Sequence, residues 1–407
     1  MSISWLISPT GREVIRSARE YLEPLRAVPA LRKKYPEIAS ELISQAMSQA
    51  GLQLRLEERW GVPTNQFLLT QEGISQATRP VIAKYRAQEI VKRFGKNAHV
   101  LDLTCGLGFD SREFALAGLK VTALEIDPAV AEYAQHNLAE FGIVVSCADA
   151  TKFQIPADID VVFVDPARRD PQGSKTALGQ AKRIFHPQLW SPSWDSIIDI
   201  ASRFPVMAKV APGMDKSEIG NWDAKWLSSA GDLLECFISF PGTGARSAVL
   251  ISAESGNCIE VPGESQTRTQ NLGRFLVIPD PALIRASALT PLADSIKGGL
   301  VNEHIAWLTT DDETGVRNVL KQDPVQANAL LIESVFKFSD KELITRTKNI
   351  PAAGVTIMTR GMQLDVEAIR KSVVKVTAPG NQELIVAIYR DDAGPQALLC
   401  RRISSLN

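Results

Sequence analysis

The sequence predicts an α/β protein. A parallel sheet buried on both faces is preceded by a helical region and followed by a small α+β module. Three observations carry this. From residue 98, near-continuous apolar runs alternate with helical segments, the pattern of strands covered by helices on both faces. Residues 11–60 repeat their apolar positions at helical spacing. Residues 253–272, AESGNCIEVPGESQTRTQNL, are polar and rich in Gly, Ser and Thr, and mark a boundary before the last module.

The elements follow in order. Ile38, Leu42, Ile43, Ala46, Met47 and Ala50 share a helix face, and Gly51 reads as its stop. A looser segment, GVPTNQFLLTQEGISQ, separates that helix from a second over Arg79–Phe94, begun by Pro80. Then come the strand AHVLDLT, the helix SREFALAGL ended by Gly118, the strand KVTALEI and the helix PAVAEYAQHNLAEFG ended by Gly142. IVVSCAD, IDVVFVDP and PVMAKVAP are the next strands, and LECFISF with SAVLIS reads as a closing antiparallel pair. After the boundary, FLVIPD, PALIRASALTPLADSIK and HIAWLTT read as strand, helix and strand. SVFKFS, DKELITRTKNI, GVTIMTRG, DVEAIRKSV, QELIVAIYRD and ALLCRRI then give a β-α-β-α-β-β order.

Composition removes several classes. At 407 residues, 45% apolar and 22% charged, the chain has ordinary globular composition. It has no apolar run of membrane-spanning length, and its start lacks the basic flank and long apolar core of a signal peptide. Five cysteines without CxxC spacing read as reduced thiols of a cytoplasmic protein, and four scattered histidines argue against a metal centre. The net charge of −1 hides an asymmetry: residues 1–100 sum to +6, 101–333 to −11 and 334–407 to +4. Basic ends around an acidic middle suit a protein that grips a polyanion and holds a cationic ligand.

The chemistry-bearing residues end the parallel strands. In DLTCGLGFD, residues 102–110, Gly106 and Gly108 let the backbone approach a ligand at the sheet edge. Such turns take dinucleotides or S-adenosylmethionine. Asp102 and Asp110 flank this one, and each close charge pair with a pyrophosphate would cost about 4 kcal/mol at an effective dielectric near 20. The same carboxylates attract the ammonium and sulfonium of S-adenosylmethionine. Glu125 ends the second strand, where an acid accepts ribose hydroxyls, and Ile126 follows it. Asp149 and Ala150 end the third strand, placed for an adenine ring. The fourth ends in DPARRD, where Asp165 and the stiffened turn at Pro166 offer fixed acceptors for an exocyclic amine.

The run from 100 to 170 resembles class I S-adenosylmethionine-dependent methyltransferases acting on RNA amines, such as the cap trimethylguanosine synthases. With AKVAPGMD at 208–215, the whole chain resembles the bacterial methyltransferases that carry a ferredoxin-like segment and a C-terminal THUMP-like domain. The resemblance implies an N-terminal helical region over 1–78, a Rossmann-like methyltransferase domain over 79–262, a ferredoxin-like segment over 273–333 and a THUMP-like domain over 334–407. It implies S-adenosylmethionine contacts at Asp102, Gly106, Glu125 and Asp149, with Thr104, Gly108, Asp110, Ile126 and Ala150 beside them. It further implies a catalytic loop at Asp165, Pro166 and Arg168, and RNA, commonly tRNA, as the partner. Arg169 and Lys209 are the candidates for substrate contact; Lys209, after an apolar strand at the sheet edge, either neutralises a phosphate or pairs with Asp165.

The family's amine-methylating loop ends in an aromatic residue, whereas here Ala167 and Arg168 follow Pro166. Either Arg168 stacks on a base or contacts a phosphate, or the target is a pyrimidine C5, which needs a thiolate such as Cys236 or Cys105. Thr78, Lys84 and Arg86 precede the first strand, where related enzymes close over the methionine end. Trp190 and Trp194 read as packing anchors, and His186 is not read as a base. The expected activity is methylation of a base in RNA, an exocyclic amine ranking ahead of C5. A non-catalytic RNA-binding protein and a small-molecule methyltransferase are the other readings.

Overall fold

Complete burial of VVFV in β4 (Val161–Val164) and of HVLD in β1 (His99–Asp102) marks the centre of a parallel sheet. A computed structural model describes residues 3–21, 24–168, 184 and 186–403. It divides into two units, Met1–Asp223 with Phe237–Thr243, and Ala224–Cys236 with Gly244–Asn407.

In the first unit, β2 (Lys120–Glu125), β3 (Val145–Cys147) and β5 (Val206–Val210) join β1 and β4 in the order β3-β2-β1-β4-β5. All four pairings are parallel. The order reverses between β1 and β4, and in open α/β sheets ligands bind in the crevice outside the strand C-termini at that switch point. Helices at Pro80–Phe94, Phe109–Leu116 and Pro128–Leu138 follow the expected sequence pattern.

The N-terminal helices build their own cluster from Val14, Ile15, Ala18, Leu31, Ile43 and Ala46. The helix read as ending at Gly51 instead runs Ser40–Trp60. Leu52 and Leu56 continue its buried face, and Gly61, at φ 70°, takes the left-handed cap. This region is pinned to the sheet. Asn137 Nδ2 donates to Leu68 O and Leu107 O, both at 3.0 Å, and Leu68 N–H returns a bond to Asn137 Oδ1 at 2.8 Å. A Cβ on Gly73 would lie 2.3 Å from Leu107, so the short Gln71–Gln76 helix presses on the glycine turn.

The expected closing pair is corrected. β7 (Asp232–Phe240) and β8 (Arg246–Ile251) are not neighbours, because β6 (Asp223–Ser229) lies between them, parallel to β8. β9 (Cys258–Pro262) pairs antiparallel with β8 from within the stretch read as a boundary loop.

A seven-stranded sheet follows. Its strands are β10 (Phe275–Pro279), β11 (Gly299–Asn302), β12 (Ile305–Thr310), β13 (Ala327–Lys337), β14 (Pro351–Arg360), β15 (Ala378–Asp391) and β16 (Gly394–Arg402). Their order is β11-β12-β10-β13-β16-β15-β14. The helix expected over 281–297 is two short helices, Pro281–Ala286 and Thr290–Ser295, broken at Ser287, whose φ of 55° no helix interior accepts. Leu343 and Val373, on the Asp340–Thr347 and Val366–Val374 helices, cover Val355, Leu384 and Val386 of this sheet.

Candidate active site

The turn after β1 and the end of β4 meet at the switch point. Gly106 has φ 56°, and a Cβ there would meet no protein atom within 4 Å, so the turn faces open space. Gly108 is glycine for a second reason: at φ 88° its added Cβ would come within 2.8 Å of Leu138. Thr104 ties the two strand ends together, its Oγ1 accepting the Asp165 N–H at 2.8 Å.

Glu125 ends β2 with its carboxylate fixed. Oε2 accepts Gly106 N–H at 3.0 Å and Oε1 accepts Asp127 N–H at 2.9 Å, so each oxygen keeps a further acceptor position. Next to it in the chain, Ile126 is 60% exposed. Asp149 anchors its own loop, with Oδ1 accepting Thr151 N–H at 3.0 Å and Thr151 Oγ1 at 2.7 Å. Those bonds, with Lys152, hold its carboxyl below the usual range. Ala150 is half-buried next to it.

The two aspartates flanking the turn act differently from a pair of free charges. Asp102 is fully buried. Its Oδ2 accepts Ser111 Oγ at 2.6 Å and its Oδ1 accepts Thr104 N–H at 3.2 Å, so both oxygens are engaged inside the protein. Burial is the main reason its pKa rises to about 7. The Ser111 bond opposes the rise, and repulsion from Asp110 and Asp165 adds to it. Asp110 is paired with Arg86, whose side chain has no exposed surface. Arg86 also donates to Thr78 Oγ1 at 3.2 Å and lies over the Phe163 ring. The attraction that the sequence reading assigned to Asp102 and Asp110 is therefore largely satisfied within the fold.

Lys209, on β5, joins this network. Its Nζ donates to Asp165 Oδ2 at 2.5 Å and lies 3.4 Å from Thr78 Oγ1. Thr78 and Arg86, read together from the segment before β1, and Lys209, read from β5, thus converge on the two acids of one edge. The signal that could have joined them is position alone: Thr78 precedes the helix before β1, Arg86 lies within that helix, and Lys209 sits near the end of β5.

Pro166 is buried, and Ala167 pairs with Ser191 in an isolated bridge, fixing the turn after Asp165. Arg168 is half-buried, and its carbonyl accepts Ile184 N–H at 2.7 Å. Arg169 lies outside the described residues. Trp190 and Trp194 are buried, the latter against Trp222, and His186 is exposed. Neither candidate thiol is a nucleophile in waiting. Cys236 has no exposed surface and burial drives its pKa far upward; Cys105 is buried and shifted the same way.

Residues 100–188 match the methyltransferase domain family, and residues 327–402 match the THUMP domain-like family. An uncharacterized S-adenosylmethionine-dependent methyltransferase of Mycobacterium tuberculosis (strain ATCC 25618 / H37Rv) is 25% identical over 351 residues, covering 84% of this chain and 90% of that protein. The crystal structure of a candidate methyltransferase from Porphyromonas gingivalis W83 superposes with a TM-score of 0.68 at 16% identity, covering 98% of this chain and all of that one. Fold and domain matches define a class I methyltransferase fold. Along this chain, the segment that matches the methyltransferase domain family is followed by the one that matches the THUMP domain-like family.

Proposed function

We propose that the chain is an S-adenosylmethionine-dependent methyltransferase that methylates an exocyclic base amine in RNA. The observation that carries the reading is the arrangement at the switch point. An open glycine turn at Gly106, a fixed acceptor at Glu125 and a strand-end acid at Asp165 stand on adjacent parallel strands. The residues fit the cofactor. The turn has room beside Gly106, Glu125 retains acceptor capacity for two ribose hydroxyls, and Ile126 offers an apolar surface for the adenine. When bound, the cofactor supplies an electrophilic methyl group.

The chain's own task is then alignment. Asp165, held by Thr104 and the Pro166 turn, accepts an N–H of the target and orients the nitrogen lone pair. Orientation of this kind supplies about 7–11 kcal/mol of a barrier without a covalent intermediate. Burial of the two candidate thiols, Cys105 and Cys236, favours this chemistry over C5 attack by either of them, which requires an accessible thiolate. RNA is supported by the THUMP-like match and by the basic 1–100 and 334–407 regions. Calorimetry tests the cofactor half. Glu125→Ala should weaken S-adenosylmethionine binding by about 1.5–3 kcal/mol, the scale of hydrogen bonds to a charged group. Unchanged affinity in a folded variant removes the assignment.

A further inference from the structure

The Asp165 carboxylate is not a bare anion. Lys209 Nζ lies 2.5 Å from Oδ2, with the lysine side chain 12% exposed and the aspartate 27% exposed. The neighbouring acid, Asp110, is matched in the same way by Arg86. Thr78 stands between the two pairs, accepting from Arg86 at 3.2 Å and lying 3.4 Å from both Lys209 Nζ and Asp110 Oδ2. Two cations therefore balance two acids across one hydroxyl. The third acid, Asp102, is buried beside them. Among the described residues, Oδ2 of Asp165 is the oxygen spent on Lys209, which leaves Oδ1 to meet a target.

We propose that Lys209 is a specificity-determining residue: it makes Asp165 a charge-matched acceptor, so the transfer site takes a neutral N–H donor such as a base amine and rejects a cationic amine. This rests on the methyl-transfer reading above. A bare, partly desolvated carboxylate would favour an ammonium, such as a protonated lysine side chain or a polyamine, whose lone pair is already occupied and cannot attack. With Lys209 in place the attraction for a full positive charge is offset, while the hydrogen-bond acceptor remains. Lys209 also determines which oxygen is engaged, Oδ2, and which remains as the acceptor. Its role is therefore to position and to discriminate, not to contact a substrate phosphate.

Two ligands separate this from a structural role without any need for the RNA. Sinefungin carries an ammonium group where S-adenosylmethionine carries its transferable methyl group; S-adenosylhomocysteine carries nothing there. Calorimetry on the full chain should show that Lys209→Met raises the sinefungin-to-S-adenosylhomocysteine affinity ratio about tenfold, the scale expected when one partly screened counter-charge is removed. Lys209→Arg should keep the wild-type ratio, and adding Asp165→Asn to Lys209→Met should bring the ratio back down. Lys209→Gln serves as the neutral variant if Lys209→Met does not fold. Wild-type binding of both ligands with a ratio unmoved by Lys209→Met and Lys209→Gln overturns the inference alone. A wild-type protein that binds neither ligand overturns the cofactor reading, and the inference with it.

Discussion

The two ends of the parallel sheet carry similar residues and use them in opposite ways. At the strand N-termini, His99 bonds Asp158 at 3.0 Å and Thr122 at 2.8 Å, and Lys120 lies 3.4 Å from Asp158. Asp158 is 62% exposed, and its bonds to His99 and then Lys120 hold its carboxyl below the usual range. That cluster ties β1 to β2 and ends in solvent. At the C-termini, Asp102 and Arg86, both buried, and Asp110, Asp165 and Lys209, half-buried, form a network. Its acids repel one another, and one of them is pushed up to about 7. A fold gains little from concentrating repelling carboxylates away from water. Their presence at the switch point is in keeping with the ligand site proposed there, while the opposite edge shows what structural pairing looks like on the same strands.

The largest expected effect separates the two ends by stability. Arg86→Met leaves Asp110 without its buried partner and should cost about 3–5 kcal/mol in urea unfolding. Asp158→Asn, at the exposed edge, should change unfolding little. A mild Arg86→Met beside a damaging Asp158→Asn would reverse the comparison.

A smaller effect should appear in the pH dependence. In the folded state Asp102 titrates near 7, above its unfolded value, so the native protein holds that proton more tightly than the unfolded chain. Its contribution to stability is therefore largest below the unfolded carboxylate range. It is lost as pH rises towards 7 and changes no further above that. Melting temperatures of the wild type and Asp102→Asn, measured from pH 4 to 8, should diverge in favour of the variant as pH rises. Parallel curves would mean that Asp102 ionises normally.

The sequence made the central strands and the acids at their ends legible because burial on both faces writes continuous apolar runs, and the fold puts ligand contacts where those runs stop. What it hid follows from the same physics. β6, DAKWLSS, mixes polar and apolar positions and carries no run. β9 begins with exposed residues inside a polar stretch. Gly51 resembles a helix stop, yet Ala50 and Leu52 keep the buried face going past it. The pairing of Arg86 with Asp110 joins residues 24 positions apart and no local pattern signals it, whereas the pairing of Lys209 with Asp165, 44 positions apart, is one of the two readings that strand-end position gives Lys209. Asp102 and Asp110 were found by position, but their charge state depends on burial and partners that only the folded chain reveals.

Nucleoside mass spectrometry of RNA from a strain lacking the gene, complemented with wild type, Asp165→Ala or Cys236→Ser, tests the central claim most directly. The account predicts the loss of one base-amine-methylated nucleoside, restored by wild type and by Cys236→Ser. Asp165→Ala should restore it at a rate lower by about a hundredfold, the usual scale for losing one oriented transition-state contact. Loss of a C5-methylated pyrimidine that Cys236→Ser fails to restore, or RNA indistinguishable from wild type in the deletion strain, would contradict it.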